Sequence, residues 1–337
     1  MKTKYLVAFL VIGGLAFIQV SVLRTVSIQV PADRSGIAAV APSTEVDDPR
    51  ALPVYDVTPL ARPARKYLGL IVDGGARMDR IEDFTQKVGK KPNLIGLFQS
   101  FKEPFAASDV TNIWEYGGLA MIRWEPTDVP LRDIIAGRRD AYLTEFATAV
   151  RRLDLPIALT FGHEMNGSWY SWGTQANSAA DFVAAWRHVH DVFVSQGATN
   201  VLWTWTPNVI TYLKSVRLGP LYPGDRYVDW VGMDGYYTRY SERTYEELFG
   251  PTIAEIRSIT RRPILVVETG VEPGSTRPGQ ITNLLSSVAT STEVIGCVYF
   301  NIDARKKWSI DTDAAAQRAF AKAAATDVYG FAVPGLK

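Results

Sequence analysis

Two glutamates stand directly after apolar runs, where a polar side chain is least expected. Glu164 follows Ile157 to Phe161 in the block Gly162-His163-Glu164-Met165-Asn166-Gly167-Ser168-Trp169-Tyr170-Ser171-Trp172-Gly173. Glu268 follows Ile264 to Val267 and precedes Thr269-Gly270. A pair of carboxyl groups suits cleavage of an acetal such as a glycosidic bond, because the leaving oxygen needs a proton while the ring carbon becomes cation-like. One carboxyl must then stay protonated near neutral pH, and its neighbour's charge together with partial desolvation raises its pKa. His163-Glu164 lacks the second His that a zinc motif requires three positions after the Glu, Gly167 standing there. No metal or other cofactor is therefore expected.

The elements that must bring these residues together are legible as a repeat. Eight short β-branched or aromatic runs occur: Tyr67 to Val72, Leu94 to Gln99, Leu119 to Trp124, Ile157 to Phe161, Val201 to Trp205, Trp230 to Met233, Ile264 to Val267 and Ile295 to Phe300. Between them lie apolar stripes at helical spacing, such as Phe182, Trp186, Val189 and Phe193, introduced by a Ser178/Asp181 capping box. Nearly continuous apolar strands alternating with amphipathic helices predict a parallel sheet covered by helices, and eight such units predict a (β/α)8 TIM barrel as a single catalytic domain. The alternative, a doubly wound open sheet, would carry a Gly-rich phosphate turn after the first strand; Asp73-Gly74-Gly75-Ala76 is a poor one.

The chain has 337 residues with 36 basic and 35 acidic side chains, a balance that speaks against a nucleic-acid partner. Lys2 and Lys4 precede an apolar run from Tyr5 to Leu23, so residues 1–24 read as a signal peptide or signal anchor, and the positive-inside rule favours an uncleaved anchor. The protein is expected outside the cytoplasm, held to the membrane by residues 5–23 or secreted, and monomeric. Residues 25–64, rich in Pro, Ala, Ser, Thr and Asp, read as a flexible linker, and residues 65–337 as the catalytic domain. Cys297 is the one cysteine, so no internal disulfide forms, and its apolar surroundings predict a buried thiol.

In such a barrel the working residues follow the strands at their C-terminal ends. There stand Arg123-Trp124-Glu125-Pro126, Trp203-Thr204-Trp205-Thr206-Pro207-Asn208, Met233-Asp234-Gly235-Tyr236-Tyr237 and Tyr299-Phe300-Asn301-Ile302-Asp303. Trp124, Trp172 and Tyr237 are candidates for stacking on a sugar. Trp203 and Trp205 share a face, and either both fill the barrel core or Trp205 reaches the mouth. Glu125 and Asp234 orient sugar hydroxyls or bond loop backbone. Asn166-Gly167-Ser168 has the form of a glycosylation acceptor but sits inside the candidate site, where a glycan would block it.

The block from Gly162 to Gly173 resembles the acid/base signature of glycoside hydrolase family 26, and Val266-Val267-Glu268-Thr269-Gly270 resembles that family's nucleophile strand. The resemblance also covers Tyr222-Pro223-Gly224 and Val228 to Tyr236, spanning about residues 66 to 312. It implies a retaining, endo-acting enzyme on a polysaccharide substrate with β-linkages, mannan first and mixed-linkage β-1,3-1,4-glucan next. It assigns Glu164 as general acid/base and Glu268 as nucleophile. It makes His163 a cleft residue, Tyr236 a hydrogen-bond partner of the nucleophile, and Trp169 a stacking platform. Asn166, Trp172, Trp124, Trp205 and Tyr299 complete the expected substrate-binding set; where many members carry Trp at the end of the eighth strand, this chain has Tyr299 and Phe300. A non-catalytic glycan-binding barrel and a transglycosylase acting on envelope polysaccharide remain the competing readings.

Overall fold

A computed structural model describes residues 54–213, 215–239, 244–304 and 306–333. The apolar run at 5–23 and most of the expected linker lie outside the described residues. After a short helix α1 (Thr58–Ala61), the chain runs β1 (Tyr67–Val72), α2 (Met78–Val88), β2 (Leu94–Ser100), α3 (Ala107–Tyr116), β3 (Leu119–Glu125), α4 (Leu131–Ile135), α5 (Asp140–Leu153) and β4 (Ile157–Phe161). It continues through α6 (Ala179–Ser195), β5 (Val201–Trp205), β6 (Trp230–Asp234), α7 (Tyr245–Ile259), β7 (Ile264–Thr269), α8 (Arg277–Thr290), β8 (Val294–Asn301) and α9 (Ala314–Ala324). All neighbouring strands pair in parallel, and β8 pairs with β1 from Tyr67↔Gly296 to Val72↔Asn301, which closes the barrel and excludes the open sheet.

Every strand is apolar on both faces because both faces are covered. One alternate set fills the barrel interior: Tyr67 and Ile71, Leu119 and Met121, Ala158, Leu202, Trp230, Leu265 and Val267, and Val298. The other set packs beneath the helices, including Leu68 and Leu70, Ile122 and Trp124, Leu159 and Phe161, Trp203 and Trp205, and Cys297 and Tyr299. The helices end by simple local chemistry: α2 and α3 stop at Gly89 and Gly117 in the left-handed region, where glycine carries no steric penalty. Ser178 caps α6 by accepting the Asp181 N–H at 3.0 Å, while the box with both reciprocal bonds forms at α7, between Thr244 and Glu247.

The packed structure starts before residue 65, which corrects the linker boundary. Leu60 is fully buried in the interior cluster, with Tyr55 and Val57 against it. The Tyr67 hydroxyl donates to Leu60 O at 3.0 Å, and Trp230 Nε1 donates to Ala61 O at 2.9 Å. Residues around 54–61 thus plug the N-terminal end of the barrel together with Phe331 and Val333. Among the described residues, no helix is long and apolar enough to cross a membrane.

Candidate active site

The chain leaves β4 by a sharp turn that aims Glu164 into the barrel mouth. Gly162 has φ +57°, and a Cβ there would stand 3.1 Å from Trp172 Cδ1, so a side chain would be both strained and crowded. Glu164 itself has φ +53°, a conformation that strains a residue with a side chain by about 1–3 kcal/mol. Surrounding bonds hold it: Glu164 N–H donates to Thr206 O at 2.7 Å, and Gly167 N–H donates to Glu164 O at 2.9 Å. Its carboxyl accepts from Asn208 Nδ2 on Oε1 and from Trp169 Nε1 on Oε2, each at 2.6 Å. Asn208 is fixed in turn by Asn166, whose side-chain amide bonds both the N–H and the C=O of Asn208 at 2.8 Å.

Glu268 reaches the mouth through a bulge. Met233 pairs with Val266, but the next residue, Asp234, pairs with Glu268, so β7 carries one extra residue at Val267. Strict alternation from interior-facing Leu265 and Val267 would send Glu268 outward; the bulge turns it inward. Tyr236 OH donates to Glu268 Oε1. On the other oxygen, Arg123 Nη2 stands 3.1 Å from Oε2. The same guanidinium grips Asp234 by two bonds of 2.9 Å and donates to Val267 O, the bulge carbonyl, at 2.9 Å. Asp234 joins the two halves of the site, since Val209 N–H donates to its carbonyl at 2.8 Å beside Asn208, the partner of Glu164.

These contacts separate the carboxyl groups electrically. Burial, and then the charge of Glu268, push the Glu164 carboxyl up to about 7, against the lowering effect of Asn208, Trp169 and Arg123. Burial works against the Arg123 charge, yet Asp234 and Glu268 hold its pKa above the guanidinium's ordinary value. Burial and then Arg123 push His163 well below the usual imidazole range, so the ring is neutral near pH 7. His163 Nε2 lies 3.2 Å from Tyr170 OH. Burial, and then Glu268, raise the Tyr236 phenol well above its ordinary value, leaving it a donor.

Glu164, Glu268, His163, Trp169 and Tyr236 therefore converge. Trp169 is 49% exposed and offers its ring to the mouth while its N–H holds Glu164. Six expected sugar contacts are buried instead. Trp124 points away from the barrel axis and stacks on Phe146 at 4.1 Å, its Nε1 donating to Tyr142 OH. Trp205 is fully buried against Tyr222, and Tyr299 is buried with its hydroxyl donating to Trp308 O at 3.1 Å. Trp172 lies under the β4 loop, stacked on Tyr170 at 4.3 Å and donating to His163 O. Asn166 is fully buried, which also leaves no room for a glycan. Tyr237 is likewise buried, against Phe249. For Trp124, Trp205 and Tyr299 the cause is parity: each occupies an outward position of its strand. Asp234, a candidate for bonding sugar or loop, instead pairs with Arg123.

Inward parity also exposes residues that proximity to the glutamates did not suggest. Arg123 is the inward neighbour of Trp124, and Phe300 that of Tyr299. Phe98, inward at the end of β2, is 41% exposed and lies 6.1 Å from His163 and 6.4 Å from Phe300, ring to ring. Phe300 meets Tyr236 edge-on at 5.9 Å, and Tyr236 packs on Trp308 at 4.5 Å. An aromatic wall thus lines the Glu268 side, facing Trp169 and Tyr170 on the Glu164 side.

The family model described as Glycosyl hydrolase family 26 matches residues 136–261, a stretch holding Glu164, Asn208, Asp234 and Tyr236. The chain is 29% identical over 257 residues to endoglucanase H of Acetivibrio thermocellus, covering 72% of this chain and 28% of that protein. It is 28% identical over 126 residues to a mannan endo-1,4-beta-mannosidase of Bacillus subtilis, covering 34% of each. Over residues 136–261 the chain is similar to glycoside hydrolase family 26. The barrel superposes on the catalytic domain of an endo-beta-1,4-mannanase from Bacillus sp. JAMB-750 with a TM-score of 0.63 at 17% identity, over 81% of this chain and 89% of that one. GH26C from Muricauda sp. MAR_2010_75 gives 0.62 at 17% identity, over 81% and 89%. The chain spans about a third or less of the length of these two curated relatives.

Proposed function

We propose that this barrel is a retaining endo-glycosidase that cleaves a β-linked polysaccharide, with Glu164 as acid/base and Glu268 as nucleophile. The observation that carries the reading is the unequal setting of the two carboxyl groups: Glu164 pushed up to about 7 by burial and by Glu268, Glu268 set between a phenol and a buried guanidinium. Glu164 gives its proton to the leaving oxygen as the bond to the anomeric carbon breaks and Glu268 bonds that carbon. Glu164, now a carboxylate, takes a proton from water, whose oxygen displaces Glu268 and restores the first configuration. The sugar lies between the Trp169 ring and the wall of Phe98, Phe300 and Tyr236.

Mixed-linkage or other β-glucan is the better supported substrate, because the endoglucanase match runs along 72% of the chain and the mannosidase match along 34%. A polysaccharide panel of lichenan, mannan and β-1,3-xylan, with NMR of the first anomer released, tests both parts. Hydrolysis giving the β-anomer first supports the reading, and an α-anomer or no release overturns it. A binding module without turnover has no use for a carboxyl held protonated beside a second one. Membrane attachment or secretion through residues 5–23, with the barrel outside the cytoplasm, is supported by the basic start and apolar run. Fractionation with N-terminal sequencing tests it, and light scattering tests the monomer.

A further inference from the structure

We infer that Arg123 and Asp234 act as one positioning pair that aims Glu268 and absorbs the loss of its charge when it bonds to sugar; this rests on the nucleophile role proposed above. Arg123 is buried and brings one positive charge to two carboxyl groups. Asp234 takes both arms of the guanidinium at 2.9 Å, while Nη2 also stands 3.1 Å from Glu268 Oε2. Oε2 is sealed from solvent and has no hydrogen bond of good geometry. Oε1, under the Tyr236 hydroxyl, is therefore the oxygen that meets the anomeric carbon.

An Oε1 lone pair forms the bond to that carbon, the glycosidic bond breaks, and its electron pair takes the proton of Glu164. Glu268 is then a neutral ester. With Glu268 as its sole partner, Arg123 would at that moment become a lone cation in a water-free interior, a state strongly disfavoured by desolvation. Asp234 removes that penalty, because it stays on the same guanidinium before and after the ester forms. The third bond, from Nη2 to Val267 O, fixes the bulge that points Glu268 inward. Charge balance and aim thus depend on the same two side chains, neither of which needs to touch substrate.

The test uses 2,4-dinitrophenyl 2-deoxy-2-fluoro-β-cellobioside and its mannobioside counterpart, following covalent labelling by mass spectrometry and release of the label after the reagent is removed. Labelling of the Glu268 peptide is expected in the wild type. Asp234→Asn should label about 100-fold more slowly and release about 10-fold faster, since its ester leaves Arg123 unpaired. Arg123→Met should release more slowly than wild type, because freeing Glu268 sets two carboxylates side by side without a cation. A role in folding alone would slow labelling and release alike in both variants, and that result, or wild-type rates in a folded Asp234→Asn protein, overturns the pairing. Should Arg123→Met fail to fold, the Asp234→Asn release rate decides. An unlabelled wild type removes the nucleophile assignment and this inference with it.

Discussion

Trp169 Nε1 donates to Glu164 Oε2 at 2.6 Å from a ring that is half exposed, so a single side chain both holds the acid and offers a face to a sugar. The two tasks separate under mutation. Trp169→Phe keeps an aromatic face and removes the donor. Because that donor favours the ionised carboxyl, its loss raises the pKa of Glu164, and the alkaline limb of kcat/KM moves up from about 7. Trp169→Ala should show the same limb and a raised KM. A pH profile on an aryl β-glycoside reads both, and an unmoved limb in Trp169→Phe contradicts the arrangement.

Removing the acid itself should discriminate between leaving groups. Glu164→Ala loses about 10²- to 10⁴-fold on polysaccharide, where the departing oxygen needs a proton. On a dinitrophenyl glycoside, whose leaving group needs none, the first step should survive, and added azide should yield a β-glycosyl azide by taking the space left by the carboxylate. In Glu268→Gln the negative charge that raises the Glu164 pKa is gone, so carbon-detected NMR of Glu164 should titrate below about 7.

Stability should carry the same signature. Below about 4.5, Glu164 is protonated in both folded and unfolded chains, and between there and about 7 only the folded chain keeps the proton. Its raised pKa therefore makes folding less favourable as pH rises through that window, by up to about 3 kcal/mol. Urea titrations at pH 4.5 and 8 should show this slope in the wild type and a flatter one in Glu164→Gln.

The aromatic residues give opposite forecasts for packing and for binding. Trp124→Ala opens a cavity against Phe146 and Phe101 and should cost about 3–5 kcal/mol, with KM little changed in whatever folds. Phe98→Ala should leave the melting temperature nearly unchanged and raise KM. Calorimetry beside Michaelis kinetics settles which of the two faces the substrate.

That pair also marks how far the amino-acid order could be read. All eight strands lie where apolar runs place them, within two residues at the ends, because parallel strands buried on both sides are long apolar words bounded by polar ones. The same double burial blurs phase: the apolar residues of Leu119 to Glu125 do not say which face is inward, and the one hint in the strand is the charge of Arg123, which the mouth side tolerates and the helix-covered side does not. The base plug around Leu60 was hidden by a Pro- and Thr-containing surround that looks like a tether. Glu164 and Glu268 stood out, whereas Asn208 and Asp234, which organise them, are ordinary loop and strand-end residues until their bonds are seen.

The extra residue in β7 has a consequence for how such a site can be lost or moved. Val266 faces the helices, so with Val267 deleted ordinary alternation would still turn Glu268 inward, opposite Asp234. What the deletion removes is the carbonyl that Arg123 holds and one apolar side chain of the barrel interior. A one-codon deletion would therefore keep the carboxyl at the mouth while cutting it loose from its anchor, a loss of aim that no substitution at Glu268 itself imitates.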